Sequence, residues 1–141
     1  MALIFPSAAW ADAYHQAINA NARYRQTAAD WTGGAIALVC KPEPALGFDA
    51  AQAIVLDLDR GACRGVVYSS EPSALATTPF VIEASYADWK AVLGGELDPI
   101  KAILMGKLRL TKGHLPTIIR DVESAKELVL SARGVQTEFP A

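Results

Sequence analysis

Two histidines and two cysteines stand among the carboxylates and hydroxyls that this chain of 141 residues offers for chemistry. A catalyst needs a nucleophile beside a base, a cluster of metal ligands, or a cradle for phosphate. His15 falls on the polar side of an amphipathic stretch and reads as a solvated histidine. His114 stands seven residues before Asp121. A hydrolase or isomerase could use it as an acid or base, but no nucleophile lies within sequence reach, so it reads as part of a turn that opens a helix. Asp57 and Asp59 share one strand face. Without a third oxygen cluster or a histidine they read as solvated strand residues, not as a metal pair. Ser69, Ser70, Ser73, Thr77 and Thr78 crowd the stretch SSEPSALATTP with no histidine nearby, so it reads as a polar loop. Cys40 and Cys63 sit in strand-like runs and read as small buried apolar side chains. Two cysteines make neither a disulfide framework nor a zinc site. The glycine pairs fit neither a dinucleotide fingerprint nor a phosphate loop. No catalytic constellation, metal or cofactor is expected.

The surrounding elements are easier to read. Ser7 is placed to cap a helix, and Trp10, Tyr14, Ala17, Ile18, Asn21 and Tyr24 recur on one helical face. Ala35 to Cys40 is a nearly continuous apolar strand. Ala53 to Asp59 alternates, with Ile54, Leu56 and Leu58 on one face and Val55, Asp57 and Asp59 on the other. A tight turn at Asp59-Arg60-Gly61-Ala62 returns the chain antiparallel through Cys63 to Tyr68. Phe80 to Ala84 is a further strand, and Ser85-x-x-Asp88 caps the helix that follows. Gly94-Gly95 ends it. Asp98-Pro99 opens another short helix, with Pro99 at the first position where a missing N–H costs nothing. Gly106 closes that helix, and Lys107 to Thr111 forms the next strand. A long helix from about Pro116 to Ala132 buries Leu115, Ile118, Ile119, Val122, Ala125 and Val129. The tail VQTEFPA reads as short and loose, with Phe139 either a docked anchor or an exposed apolar residue. One mostly antiparallel sheet with helices on one face follows, an α+β sandwich.

Length fits a single domain over 1–141 that needs no disulfide or metal to fold. The apolar fraction is 52% and the net charge is −2. So small a net charge gives no field to attract nucleic acid or an anionic membrane. The apolar run near the start is broken by Pro6, too short for a secretory signal, and no window approaches a membrane span. A soluble, cytoplasmic protein is expected.

The chain is organised around residues 80–113, FVIEASYADWKAVLGGELDPIKAILMGKLRLTKG, where two short apolar helices flank a strand with glycines at the corners. Here it resembles the sterol carrier protein-2 (SCP-2) sterol transfer, or lipid-binding, family. The resemblance rests on FVIEASYADW, on GGELDPIKAILMG, on GKLRLTKG, and on Trp31 heading the first strand after a long helix. It covers about residues 7 to 133. The family often has an acidic or amide residue after the final glycine, where this chain has His114.

The resemblance implies a five-stranded sheet with helices over one face, enclosing an apolar tunnel. It implies non-catalytic binding or transfer of a sterol, fatty acid, acyl-CoA or other long-chain lipid. The residues themselves point the same way, because an apolar cavity needs aliphatic walls and few polar groups. Facing suggests Trp89, Leu93, Ile100, Ile103 and Leu104 from the short helices as lipid-binding residues. Ile82, Leu108 and Leu110 would join them from the strands, and Ile118 and Val122 from the last helix. Each of these is equally suited to an ordinary core. The alternative is an interaction module with a filled core, acting as a homodimer or as an accessory subunit of a partner enzyme.

Overall fold

The computed structural model describes residues 2–69, 75 and 77–139. Ser70 and Ser73, with most of the polar loop expected around them, lie outside the described residues. Among the described residues, seven strands and six α-helices follow in the order β1 (Leu3–Ile4), α1 (Ala8–Ala20), α2 (Ala22–Thr27), β2 (Ile36–Cys40), β3 (Gln52–Asp59), β4 (Ala62–Ser69), β5 (Phe80–Ala84), α3 (Tyr86–Leu93), α4 (Pro99–Leu104), β6 (Arg109–Lys112), α5 (Leu115–Arg120), α6 (Val122–Leu130) and β7 (Thr137–Glu138). Strands β4-β3-β2-β5-β6 form one five-stranded sheet. Its pairings are antiparallel except for β2 with β5, which run parallel. The α+β class and the mostly antiparallel sheet are as the sequence indicates.

Alternation sets the two faces of this sheet. Ile36, Leu38, Ile54, Leu56, Leu58 and Phe80 enter the main core with the helices. Ala37, Val39, Ala53 and Val81 form a smaller cluster on the opposite face, with Leu75 and Val55 against it. Central strand β2 is therefore buried on both sides, which is why its sequence is apolar throughout instead of alternating. The β3–β4 turn has Arg60 at φ 48° and Gly61 at φ 87°, the backbone of a type I′ hairpin. A side chain on Gly61 would also strike the Arg25 carbonyl at 2.5 Å.

Two expected helices are each divided. Asn21 (φ −87°, ψ 101°) interrupts the N-terminal one: its side chain accepts from Tyr24 N–H, capping α2, and donates to Ser131 Oγ at 3.0 Å. Asp121 (φ −100°, ψ 36°) separates α5 from α6. The apolar stripe continues across both breaks, so periodicity alone runs each pair together. The tail is docked through residue 139. β7 pairs parallel with β1, and the Phe139 ring packs 6.0 Å from Phe5 and 6.4 Å from Tyr86.

Candidate functional site

The site is an apolar cavity of about 40 Å³ between the sheet and helices α3 to α6. Ile36 and Leu38 of β2, Ile82 of β5 and Leu108 before β6 supply its sheet side. Trp89, Pro99, Ile100, Ile103, Ile118, Ala125, Leu128 and Val129 supply the helical side, and Tyr14 reaches it from α1. The neighbouring void of about 20 Å³ shares Ile36, Ile118, Ala125 and Leu128 with it. Local sequence rules place these walls. Ser85 accepts from the Asp88 N–H at 3.1 Å and starts α3, turning Trp89 inward. Asp98 accepts from the N–H groups of Ile100 and Lys101 at 2.8 and 3.1 Å and starts α4.

Among the described residues only two side chains on the cavity wall, Tyr14 and Trp89, carry polar atoms, and both are committed to the backbone. Tyr14 Oη donates to the Leu128 carbonyl at 2.7 Å, and Trp89 Nε1 donates to the Val39 carbonyl at 2.8 Å. Burial drives the Tyr14 pKa far upward, with Tyr24 and Cys63 adding to the effect, so the phenol stays neutral. What remains for a guest is hydrocarbon and aromatic surface. Such a wall can desolvate an apolar tail. It holds no base, nucleophile or ligand for a metal.

Two surface grooves adjoin the cavity. One, flanked by Asp98, Lys126 and Arg133, shares Pro99 and Val129 with it. The other runs past Gly106, Arg109, Leu110, Gly113 and Leu115 and shares Ile103 and Leu108. Helix α4 therefore stands as a wall between the cavity and both grooves.

Of the residues that sequence facing suggests, Ile82, Trp89, Ile100, Ile103, Leu108 and Ile118 come together around the cavity. Leu93 is buried in the core away from it, and Val122 is half-buried at the start of α6. Leu110 opens onto the outer groove, and Leu104 turns to solvent at 73% exposure. Tyr14, Ile36, Leu38, Ala125, Leu128 and Val129 complete the wall. Most of these lie on stripes that periodicity picks out. What periodicity lacks is the crossing of the elements, which decides the segment of each stripe that meets the void.

The residues with chemical potential lie elsewhere. His15 is half-buried, not freely solvated, and its Nε2–H donates to the Cys63 carbonyl at 2.8 Å. The Asn19 side chain shares that carbonyl and accepts from the Cys63 N–H. His114 is exposed and makes no side-chain cap to α5. Asp57 pairs with Arg64 at 3.0 Å. Cys40 and Cys63 are free and buried. Among the described residues no three His, Cys, Asp or Glu side chains gather as a metal site. No helix among them is long and apolar enough to cross a membrane.

Residues 14–113 match the SCP-2 sterol transfer family. The chain belongs to that family. A crystal structure of sterol carrier protein 2 is similar at 41% identity, with 92% of this chain and 97% of that one covered and a TM-score of 0.85. The solution structure of a conserved hypothetical protein, possibly sterol carrier protein, from Thermus thermophilus is similar at 40% identity, covering 94% and 90%, with a TM-score of 0.84. Sterol carrier protein 2 from Yarrowia lipolytica, in its apo form, shares 14% identity over 95% and 94% at a TM-score of 0.58, a likeness of fold alone. No curated protein matches the sequence. In this SCP-2 family member Trp89 and the α4 residues Ile100 and Ile103, on which the sequence resemblance centres, all sit on the cavity wall.

Proposed function

We propose that residues 1–141 act as one non-catalytic lipid-binding domain that carries a long-chain lipid with its tail between the sheet and helices α4 to α6. The observation that carries this reading is the cavity wall, whose two polar side chains, Tyr14 and Trp89, are both committed to backbone carbonyls. Membership of the SCP-2 sterol transfer family supports it. Each Å² of apolar tail withdrawn from water is worth roughly 25 cal/mol. We assign tail contact to Ile82, Trp89, Ile100, Ile103, Leu108 and Ile118. Leu93, Leu110 and Val122 support the wall from behind, and Leu104 lies outside it.

The cavity of about 40 Å³ is far below the ~300–1,000 Å³ of ordinary ligand sites, so loading requires a wall to move. Helix α4 is suited to this: it has six residues and buries only Ala102. It is flanked by Gly95 and Gly106 at φ 84° and 77°. Lys126 and Arg133 beside its first turn favour a fatty acid or acyl-CoA, whose anionic head they can meet, over a neutral sterol. The free thiols suit a reducing compartment, and we assign the carrier to the cytoplasm.

Mass spectrometry of an organic extract of purified protein, with titration by a fluorescent fatty acid, tests the reading. Co-purifying lipid and saturable binding near one per chain are expected. A protein that carries no lipid and binds no probe would instead be a filled interaction module. Light scattering on the same sample would then show whether it pairs with itself.

A further inference from the structure

The net charge of −2 conceals a sharp segregation. Residues 99–120 hold five of the thirteen Lys and Arg and none of the fifteen Asp and Glu, a local charge of +5 against −7 for the rest. Lys101, Lys107 and Arg120 are exposed along this segment. Arg120 meets Asp121 just beyond its end, Arg109 stands opposite Glu83 in the β5–β6 register, and Lys112 donates to the Leu75 carbonyl, which leaves Lys101 and Lys107 as the cations flanking the end of α4.

The same segment exposes apolar side chains. Leu104 is 73% and Met105 58% exposed, with Leu115 and Ile119 at 41% each. Leu104 and Met105 end α4, while Leu115 and Ile119 are i and i+4 on α5, hence on one side of it. The outer groove runs from Ile103 and Gly106 to Leu115 and brings the two helices together. Ile103 and Leu108 line both this groove and the cavity, so two side chains separate the cavity from the exposed apolar face.

We infer that this face, formed by α4, α5 and the Met105–Lys107 turn between α4 and β6, docks on anionic lipid surfaces and is the side through which the tail passes. The argument is one of complementarity. Apolar side chains flanked by lysines fit the boundary between acyl chains and anionic headgroups, where the lysine stems lie along the hydrocarbon and the ammonium groups reach the heads. Basic side chains near such a surface each strengthen binding roughly fivefold. The inference rests on the carrier reading for its purpose but on separate residues for its binding. Met105, Lys101 and Lys107 do not line the cavity.

Flotation of the purified protein with phosphatidylcholine vesicles, with and without phosphatidylglycerol, tests it. Binding is expected to anionic vesicles and to fall with added salt. Met105→Asp, and separately Lys101→Glu with Lys107→Glu, should each reduce it by at least ~10-fold. Both variants should keep native circular dichroism and fluorescent fatty-acid binding in the absence of vesicles. Unchanged flotation of Met105→Asp overturns the inference, as does equal or absent flotation of the unaltered protein on both vesicle types. A self-associated species that Met105→Asp dissolves would assign the face to a second copy and overturn it too. Salt-sensitive flotation of an unaltered protein that binds no fatty acid would instead reject the carrier reading and leave the docking face standing.

Discussion

The Tyr14 hydroxyl donates to the Leu128 carbonyl at 2.7 Å, joining α1 to α6 across 114 residues of sequence. Leu128 lies in the last turn of α6. The bond therefore ties the end of α6 to α1 at the cavity wall and leaves the apolar part of the ring to line the void. Tyr14→Phe keeps the ring and removes this buried bond. It should cost about 0.5–1.5 kcal/mol in urea denaturation, while fatty-acid affinity stays unchanged. A large loss of affinity would mean that the hydroxyl meets the ligand.

Much of the scaffold was legible because short-range chemistry specifies it. Alternation of Ile54, Leu56 and Leu58 announces a strand with one buried face. Ser85 and Asp98 announce helix starts, and both make the expected caps. The features not legible depend on where distant segments meet. Leu3–Ile4 becomes a strand only because Thr137–Glu138 arrives beside it. Ile100 and Leu104 are i and i+4, so periodicity assigns them to one face. Yet α4 ends at Leu104, and the chain turns away through Met105 and Gly106. Leu104 thus lies beyond the cavity, whereas Ile100 and Ile103 point into it.

Gly113 links β6 to α5 at φ 112°, and a Cβ there would lie 2.4 Å from Phe80 Cδ1. Phe80 cannot simply swing aside, because its ring packs 5.3 Å from Trp31. Gly113→Ala combines backbone strain with a core clash and should cost about 2–4 kcal/mol. Gly47 offers the matched control: φ is 84°, but nothing lies within 4 Å of its would-be Cβ. Gly47→Ala should cost only about 1–2 kcal/mol. Equal losses in denaturant titration would show that Phe80 gives way freely.

Burial pushes both thiols up to about 11 from 9.0, helped at Cys40 by Glu43. At Cys63 a hydrogen bond with the Gly65 backbone works in the opposite direction and Asp57 in the same one. Near neutral pH the thiolate fraction should be ~100-fold below that of an ordinary cysteine, so the native protein resists alkylation and the unfolded chain does not. The unfolded chain gives up these protons first as pH rises. The stabilising effect is therefore complete below pH 9.0 and is lost as pH climbs toward 11. Denaturation between these limits should show falling stability. A Cys40→Ala, Cys63→Ala protein should lose less there, and an identical slope would remove the thiols as its cause.

Asp98 ties the start of the most weakly buried cavity wall. The Lys101 N–H, then the Ile100 N–H and the Lys126 and Lys101 charges, hold its carboxyl below the usual carboxylate range. A lowered folded value means that the cap is fully effective above the ordinary value of 3.8 and is lost as pH falls through the folded one. Asp98→Ala should reproduce that acid loss at neutral pH, at about 0.5–2 kcal/mol. Hydrogen exchange should localise the change to residues 99–104. Because α4 borders the cavity and both grooves, stopped-flow binding of a fluorescent fatty acid should show faster association and faster release, with affinity moving much less than either rate. Unaltered rates alongside faster exchange in α4 would mean that the tail enters past a different wall.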